Sequence, residues 1–263
     1  MKKFQNIGKG NEVAIAFGAI LIGLWELIAI LDWIPPFILP SPISVFHTLL
    51  ETFPIMFEHI KITVLEAGIG FLIAVFLSAG LGILVDWVPL LKKAIYPIIM
   101  ISQTIPIVTL APLFAMWFGY GYLPKILVVI LVCFFPIAVS FIEGLASVDK
   151  ELLNLLRSMG ANPFQIYRMV KIPAALPHLF SGLKIAGTYS IMGAVIGEWI
   201  GGKEGLGVYM LRVRHSFSID KVFATIVIIT LCSIFVVKFI HIIEKKLMPW
   251  TKELPNQNEG EIS

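Results

Sequence analysis

Six stretches of this sequence are apolar for about twenty residues or more each, and that repetition limits the fold before any other feature does. At a rise of about 1.5 Å per residue, a helix needs roughly 20 residues to cross a hydrocarbon core ~30 Å thick. The runs cover residues 13–32, 62–85, 94–118, 122–142, 178–200 and 222–244. Lipid offers no partner to backbone N–H and C=O groups, so runs this apolar must be helical. Composition agrees, with 58% hydrophobic residues, 14% charged residues and a mean hydropathy of +0.91. That leaves too little polar surface for a water-soluble domain. The expected fold is all-α and integral to the membrane, with six helices.

The first run follows a short basic tail holding Lys2, Lys3 and Lys9. It is too long for the apolar core of a signal peptide and no small-x-small site follows it, so it reads as an uncleaved first helix. Lys and Arg outside the runs set the orientation. Twelve fall on the side of the N-terminus (Lys2, Lys3, Lys9, Lys92, Lys93, Lys150, Arg157, Arg168, Lys171, Lys245, Lys246, Lys252) and six on the other (Lys61, Lys125, Lys203, Arg212, Arg214, Lys221). The excess places both termini in the cytoplasm. The expected organisation is a cytoplasmic tail over 1–12, one transmembrane domain over 13–247 and a second cytoplasmic tail over 248–263. A net charge of +3 is spent on topology and gives no basic patch for nucleic acid. The longest outer segment, 33–61, opens with prolines and then becomes partly amphipathic, the pattern of a helix lying on the outer membrane surface.

The halves show no internal repeat, which counts against secondary transporters built from inverted repeats. Glycines cluster on the second run (Gly68, Gly70, Gly80, Gly82) and the fifth (Gly182, Gly187, Gly193, Gly197). The pair Gly193 and Gly197 forms a G-x-x-x-G suited to close helix packing within the bundle. Cys133 and Cys232 each fall inside a run, with no disulfide or zinc-ligand spacing.

The inner loop over about 144–177 is unusually rich in helix signals. Leu152, Leu155, Leu156 and Met159 recur at helical spacing, opposite Lys150, Asn154 and Arg157. Gly160 suits the left-handed position that ends a helix. Asn162-Pro163 supplies an N-cap and a proline at the first helical position. Ile166, Tyr167 and Val170 then share a face, with Gln165, Arg168 and Lys171 opposite, and Pro173 and Pro177 are expected to stop this second helix. The result is a helix-turn-helix elbow, half apolar and half basic. It either docks a cytoplasmic partner or lies on anionic lipid.

The elbow resembles the cytoplasmic signature of binding-protein-dependent ABC importer permeases: a Glu-Ala-Ala triplet, a glycine after three residues, then nine residues and a hydrophobic-x-Leu-Pro end. Here Asn154-Leu155-Leu156 takes the triplet place, Gly160 the glycine, Val170 the hydrophobic position and Ile172-Pro173 the end. The triplet departs from the pattern in all three residues. Ile34-Pro35-Pro36 to Leu39-Pro40-Ser41-Pro42, Gln103-Thr104-Ile105-Pro106 through Ala111-Pro112-Leu113 to Trp117-Phe118-Gly119, and Gly205-Leu206-Gly207 extend the similarity over nearly the whole chain. Together they resemble the type I branch that includes nitrate, sulfonate, taurine and thiamine-precursor importers, and the run from Gln103 to Trp117 looks most like the thiamine-pyrimidine importers.

That resemblance implies a permease subunit in the plasma membrane of a prokaryote. It implies a second copy of the chain, a dimer of ABC ATPase subunits and an extracytoplasmic solute-binding protein as partners. It also implies no cofactor on this chain, with ATP and Mg held by the ATPase. Asn154, Arg157, Gly160, Ala161, Pro163, Arg168 and Pro173 become the residues expected to couple to the ATPase. An ATP-independent carrier or channel is the competing class.

Residues 197–204, GEWIGGKE, come close to a phosphate-binding loop but follow a membrane run and carry Glu204 in place of the hydroxyl residue, so the match is rejected. His47, His59, His178, His215 and His241 are scattered over both sides, and no hydrolase motif is present. Ionisable residues inside membrane runs cost about 2.5–3.5 kcal/mol on insertion scales and are functional suspects by default. Glu26, Glu66, Lys184, Glu198 and Lys238 qualify; Glu66 and Lys238 are expected to reach toward water, and Glu26 to pair with a neighbouring helix. Glu198 is the preferred one, and with Gln103, Thr104 and Pro106, where a proline interrupts the third run, it makes up the expected translocation path.

Overall fold

The computed structural model describes residues 5–250, with side chains from Glu12 onward. Lys2, Lys3 and the segment from Thr251, including Lys252, lie outside the described residues. The first helix, α1 (Gln5–Ile30), begins inside what the sequence assigned to a tail, and it is followed by α2 (Pro42–Trp87). Ser41 caps α2, its hydroxyl accepting from the Ser44 N–H at 3.1 Å, and Pro42 fills the first turn. From that start the helix runs unbroken for 46 residues, past Pro54 and through the second apolar run. Residues 42–61 therefore prolong a span and form no separate surface helix. Nothing in that stretch terminates a helix, because Pro54 needs only a local adjustment of the turn before it.

The third expected span is broken. Helices α3 (Pro89–Ser102) and α4 (Ile107–Phe118) meet at 98°. Pro106 has extended backbone (φ −65°, ψ 114°) and no N–H to give to the preceding turn, and a proline also disfavours helical geometry at Ile105. Pro112 and Pro136, by contrast, sit inside continuous helices. The remaining elements are α5 (Tyr122–Ala146), α6 (Lys150–Ser158), α7 (Pro163–Ile166), a π-helical segment (Tyr167–Lys171), α8 (Ile172–Gly201), α9 (Leu206–His215) and α10 (Ile219–Leu247). Five helical runs are long and apolar enough to cross a membrane, and the bent α3–α4 pair makes a sixth crossing if it is one span.

The core lies where α2, α5 and α8 meet, and it is made of small residues. Ala67, Ala74, Val129, Cys133, Ile137, Ala186, Ile191 and Ala194 are all buried there. Lipid is as apolar as these side chains, so what holds the helices is close contact more than expulsion of water. The glycine surfaces show how close: a Cβ on Gly70 would fall 2.6 Å from Val129 Cβ, and one on Gly182 2.7 Å from the Pro136 carbonyl oxygen. On α8, Gly193 faces Val132 and Gly197 lies against the Lys125 backbone. The G-x-x-x-G thus packs α8 onto α5 within the chain. On α2 only Gly70 and Gly82 meet α5, while Gly68 and Gly80 face open space.

Around this core, α4 packs through Ala111 against Val128 and Val132, and α9 is wedged between α2, α8 and α10 by Leu206, Tyr209 and Val213. Helix α1 stands apart: none of its apolar window is buried, and its end is fastened by the Trp25 indole N–H donating to the Pro40 carbonyl at 3.0 Å. Both cysteines are free thiols.

Candidate functional site

The elbow is assembled from caps. Asp149 opens α6, accepting from the Glu151 N–H at 2.8 Å. At its other end Gly160 has φ +84°, and paired bonds run from the Gly160 N–H to the Arg157 carbonyl and from the Ala161 N–H to the Leu156 carbonyl, both 3.0 Å. This is the Schellman arrangement that a left-handed residue permits. Asn162 and Gln165 then form a reciprocal capping box, each side chain on the other's backbone N–H at 2.8 Å, with Pro163 in the first turn of α7.

The expected stop at Pro173 and Pro177 does not occur. The chain continues from Pro163 to Gly201 as one helical run. The π-helical segment explains this: the Ile172 N–H bonds back five residues to the Tyr167 carbonyl, which widens the turn ahead of the Pro173 ring. Pro173 and Pro177 thus lie within the first two turns of α8.

Ile166 and Tyr167 are buried and Val170 is half-buried, as the periodicity requires. Tyr167 packs with Phe141, Leu145 and Ala175, and its ring meets Trp87 edge-on at 5.9 Å. Its hydroxyl donates to Asp86 Oδ2 at 2.5 Å, and the Lys171 ammonium reaches the same oxygen at 2.6 Å. The rest of the elbow is open. Asn154, Arg157, Pro163 and Arg168 are exposed and Ala161 half-exposed, and large apolar side chains stand free beside them: Leu155 57%, Met159 75%, Phe164 66% and Met169 73% exposed. A cleft of about 460 Å³ separates this surface from the end of α2. Exposed apolar patches of this kind mark sites of contact with proteins or with membranes.

At the opposite end of the bundle is a buried polar cluster. Glu198 is 1% exposed and accepts from the Thr63 hydroxyl and the Gly207 N–H, both at 2.6 Å. Gly205 and Gly207 give it room, since a Cβ on Gly205 would lie 2.2 Å from the carboxyl carbon. Glu198 therefore ties α8 to α2 and holds the first turn of α9. One turn along α2 from Thr63, Glu66 is fully buried and pairs with Lys125 at 2.6 Å. Glu66 does not reach outward as its position in the run had implied, and Lys125 lies inside α5 with its side chain 5% exposed. Among the described residues, the second carboxylate oxygen, Glu66 Oε2, accepts from no N–H or O–H donor at hydrogen-bond distance.

Gln103, Thr104 and Pro106 lie exposed at the α3–α4 bend, where the Thr104 hydroxyl donates to the Ile101 carbonyl at 2.7 Å. Glu198 makes its hydrogen bonds to Thr63 and Gly207, while Ile107, beside Pro106, packs in one cluster with Ile196 and Ile200 on either side of Glu198. Lys184 pairs with Glu244 at 2.8 Å, and Glu26 Oε2 accepts from the Ile43 N–H at 3.4 Å. Asp86, Thr63 and the Glu66–Lys125 pair were missed from sequence. The available signal was charge of opposite sign near the same membrane depth on different runs. Among the described residues, no three His, Cys, Asp or Glu side chains converge as metal ligands would.

The structure is thus a multi-pass helical bundle with a capped helical elbow at one end and a buried polar cluster at the other. Residues 70–249 match the family described as binding-protein-dependent transport system inner membrane component, and the chain belongs to that family. It is 36% identical to the formylaminopyrimidine transport permease protein ThiX of Halalkalibacterium halodurans, over 90% of this chain and 95% of that protein. Identity is 27% to the taurine transport system permease protein TauC of Escherichia coli, over 93% and 92% of the two chains. The fold is shared with a chain of the MetNI methionine ABC transporter, solved in inward-facing conformations, with a TM-score of 0.54 and 20% identity over 79% of this chain and 94% of that one. The protein is thus an ABC importer permease of the inner membrane. A permease of this family is not itself catalytic, and it implies an ATPase and a binding protein as partners.

Proposed function

We propose that this chain is the membrane-spanning subunit of an importer for a small aromatic precursor of the thiamine-pyrimidine class. It works as a homodimer with two ATPase subunits on the cytoplasmic side and a solute-binding protein outside. The observation carrying the substrate is the 36% identity to a formylaminopyrimidine permease along nearly the full length of both chains. Taurine and other sulfonates, or nitrate, form the second reading, favoured by the 27% identity to the taurine permease.

Twelve Lys and Arg against six support an orientation with both termini and the elbow in the cytoplasm, and the single domain over 13–247 with flanking tails over 1–12 and 248–263 follows from it. Through Asn154, Arg157, Gly160, Ala161, Pro163, Arg168 and Pro173 the elbow meets the ATPase, whose closure drives the bundle between states that differ in affinity for cargo. Gln103, Thr104 and Pro106 line the passage. A bent, exposed backbone at membrane depth is tolerated where it faces protein or a water-filled path. Glu198 is assigned to the outer end of that passage, through its hold on α9.

Affinity purification from native membranes in mild detergent, followed by mass spectrometry, should recover an ABC ATPase. Its absence, under conditions that hold other transporter complexes together, would overturn the assembly. For the cargo, uptake of labelled formylaminopyrimidine should be abolished by excess unlabelled compound and unaffected by excess taurine, alkyl sulfonate or nitrate. Competition by taurine instead would transfer the protein to the sulfonate reading.

A further inference from the structure

Asp86 is the penultimate residue of α2, and what fastens the elbow to that helix converges on it. Tyr167 and Lys171 stand four apart in the π-helical segment, and both place their polar atoms on Asp86 Oδ2, at 2.5 and 2.6 Å. The ion pair is largely withdrawn from solvent, with side-chain exposures of 17% for Lys171 and 9% for Asp86. Short π-helical insertions within α-helices are frequent at functional sites. This one aims two donors from the root of the elbow at a different helix.

The middle of α2 is tied as well. Thr63 bonds to Glu198 near the end of α8, and Glu66 pairs with Lys125 on α5. Helix α2 is thus linked to the α7–α8 run at two points, at Asp86 near its C-terminal end and at Thr63 near its middle. A push on the elbow reaches α8 through continuous helix. It reaches α2 through the oxygen of Asp86 and the packing of Tyr167 beneath it.

We propose that Asp86 is a positioning residue for transport: its hold on Tyr167 and Lys171 turns displacement of the elbow into displacement of α2, and so links closure of the ATPase subunits to movement of the bundle. This rests on the importer reading above. Coupling between two sites is typically worth roughly 5–150-fold, and breaking this link should lower transport per ATP about tenfold.

The test uses the complete complex in proteoliposomes, with ATP hydrolysis and solute uptake measured on the same preparation. In Asp86→Ala the ATPase should still co-purify and hydrolyse ATP, while uptake per ATP falls about tenfold. Tyr167→Phe combined with Lys171→Met removes both donors and keeps the ring and stem packing. It should reproduce the loss, and it carries the test if Asp86→Ala is not recovered from membranes. Unchanged uptake per ATP in the recovered variants overturns the proposal. So does a lower thermal midpoint with an unchanged ratio, since that marks a purely structural tie. Failure of the importer reading is visible separately, as wild-type protein that brings no ATPase with it, and the inference falls with it.

Discussion

Gly160→Val is expected to abolish uptake while the protein still reaches the membrane at normal abundance. The backbone at Gly160 has φ +84°, and no atom would meet a Cβ there, so the effect is conformational and not a clash. An L-residue in the left-handed region costs ~1–2 kcal/mol, and a β-branched one is a clear outlier there. Valine therefore moves the turn out of that region, the bonds from Gly160 to Arg157 and from Ala161 to Leu156 are lost, and α6 no longer points at its partner. The spans are untouched, so insertion should be normal. Gly160→Asn, which tolerates the left-handed region, should retain part of the activity. The readouts are labelled-solute uptake in cells and the amount of protein in the membrane fraction. Full uptake by the valine variant would remove the elbow from the coupling path.

Lys125→Met should give the largest loss of stability. Its ammonium donates to Oε1 of the Glu66 carboxylate at 2.6 Å, and both side chains are buried. Removing one member of a buried pair leaves the other as an uncompensated charge, at a cost of about 3–5 kcal/mol. The double variant Lys125→Met with Glu66→Gln should recover much of that, because no lone charge remains. Thermal unfolding in detergent, followed by size-exclusion chromatography, reads both. An unchanged midpoint for Lys125→Met would mean that Glu66 finds another partner or that water reaches it.

Much of this fold was legible because lipid imposes a strict rule on the backbone. Five of the six apolar runs became continuous helices, since length and hydropathy are local properties of the chain. The elbow was legible for a related reason: Gly160, Asn162, Pro163 and Gln165 cap helices through contacts within a few residues of themselves. What escaped depends on distant partners. Whether a proline ends a helix is decided by the turn before it, and at Pro173 the π-helical segment absorbed what at Pro106 became a break. Glu66, read alone, looked like a residue seeking water. Only the fold reveals that Lys125, 59 residues later, sits beside it. Likewise Asp86 lies 81 residues from Tyr167, and no periodicity within either segment points to the other.

The bend at Pro106 has a consequence for how the protein is made. Helix α3 has 14 residues and α4 has 12, so at about 1.5 Å per residue they reach only ~21 and ~18 Å. Neither alone is long enough for a hydrocarbon core of ~30 Å. As the chain leaves the ribosome, an insertion machine that judges each segment by its own greasiness meets two short pieces set at an angle. Through Ala111, α4 lies against Val128 and Val132 of α5, which is synthesised after it. The middle of this protein is therefore expected to settle into the bilayer only after α5, the later-made helix that α4 packs against, has emerged.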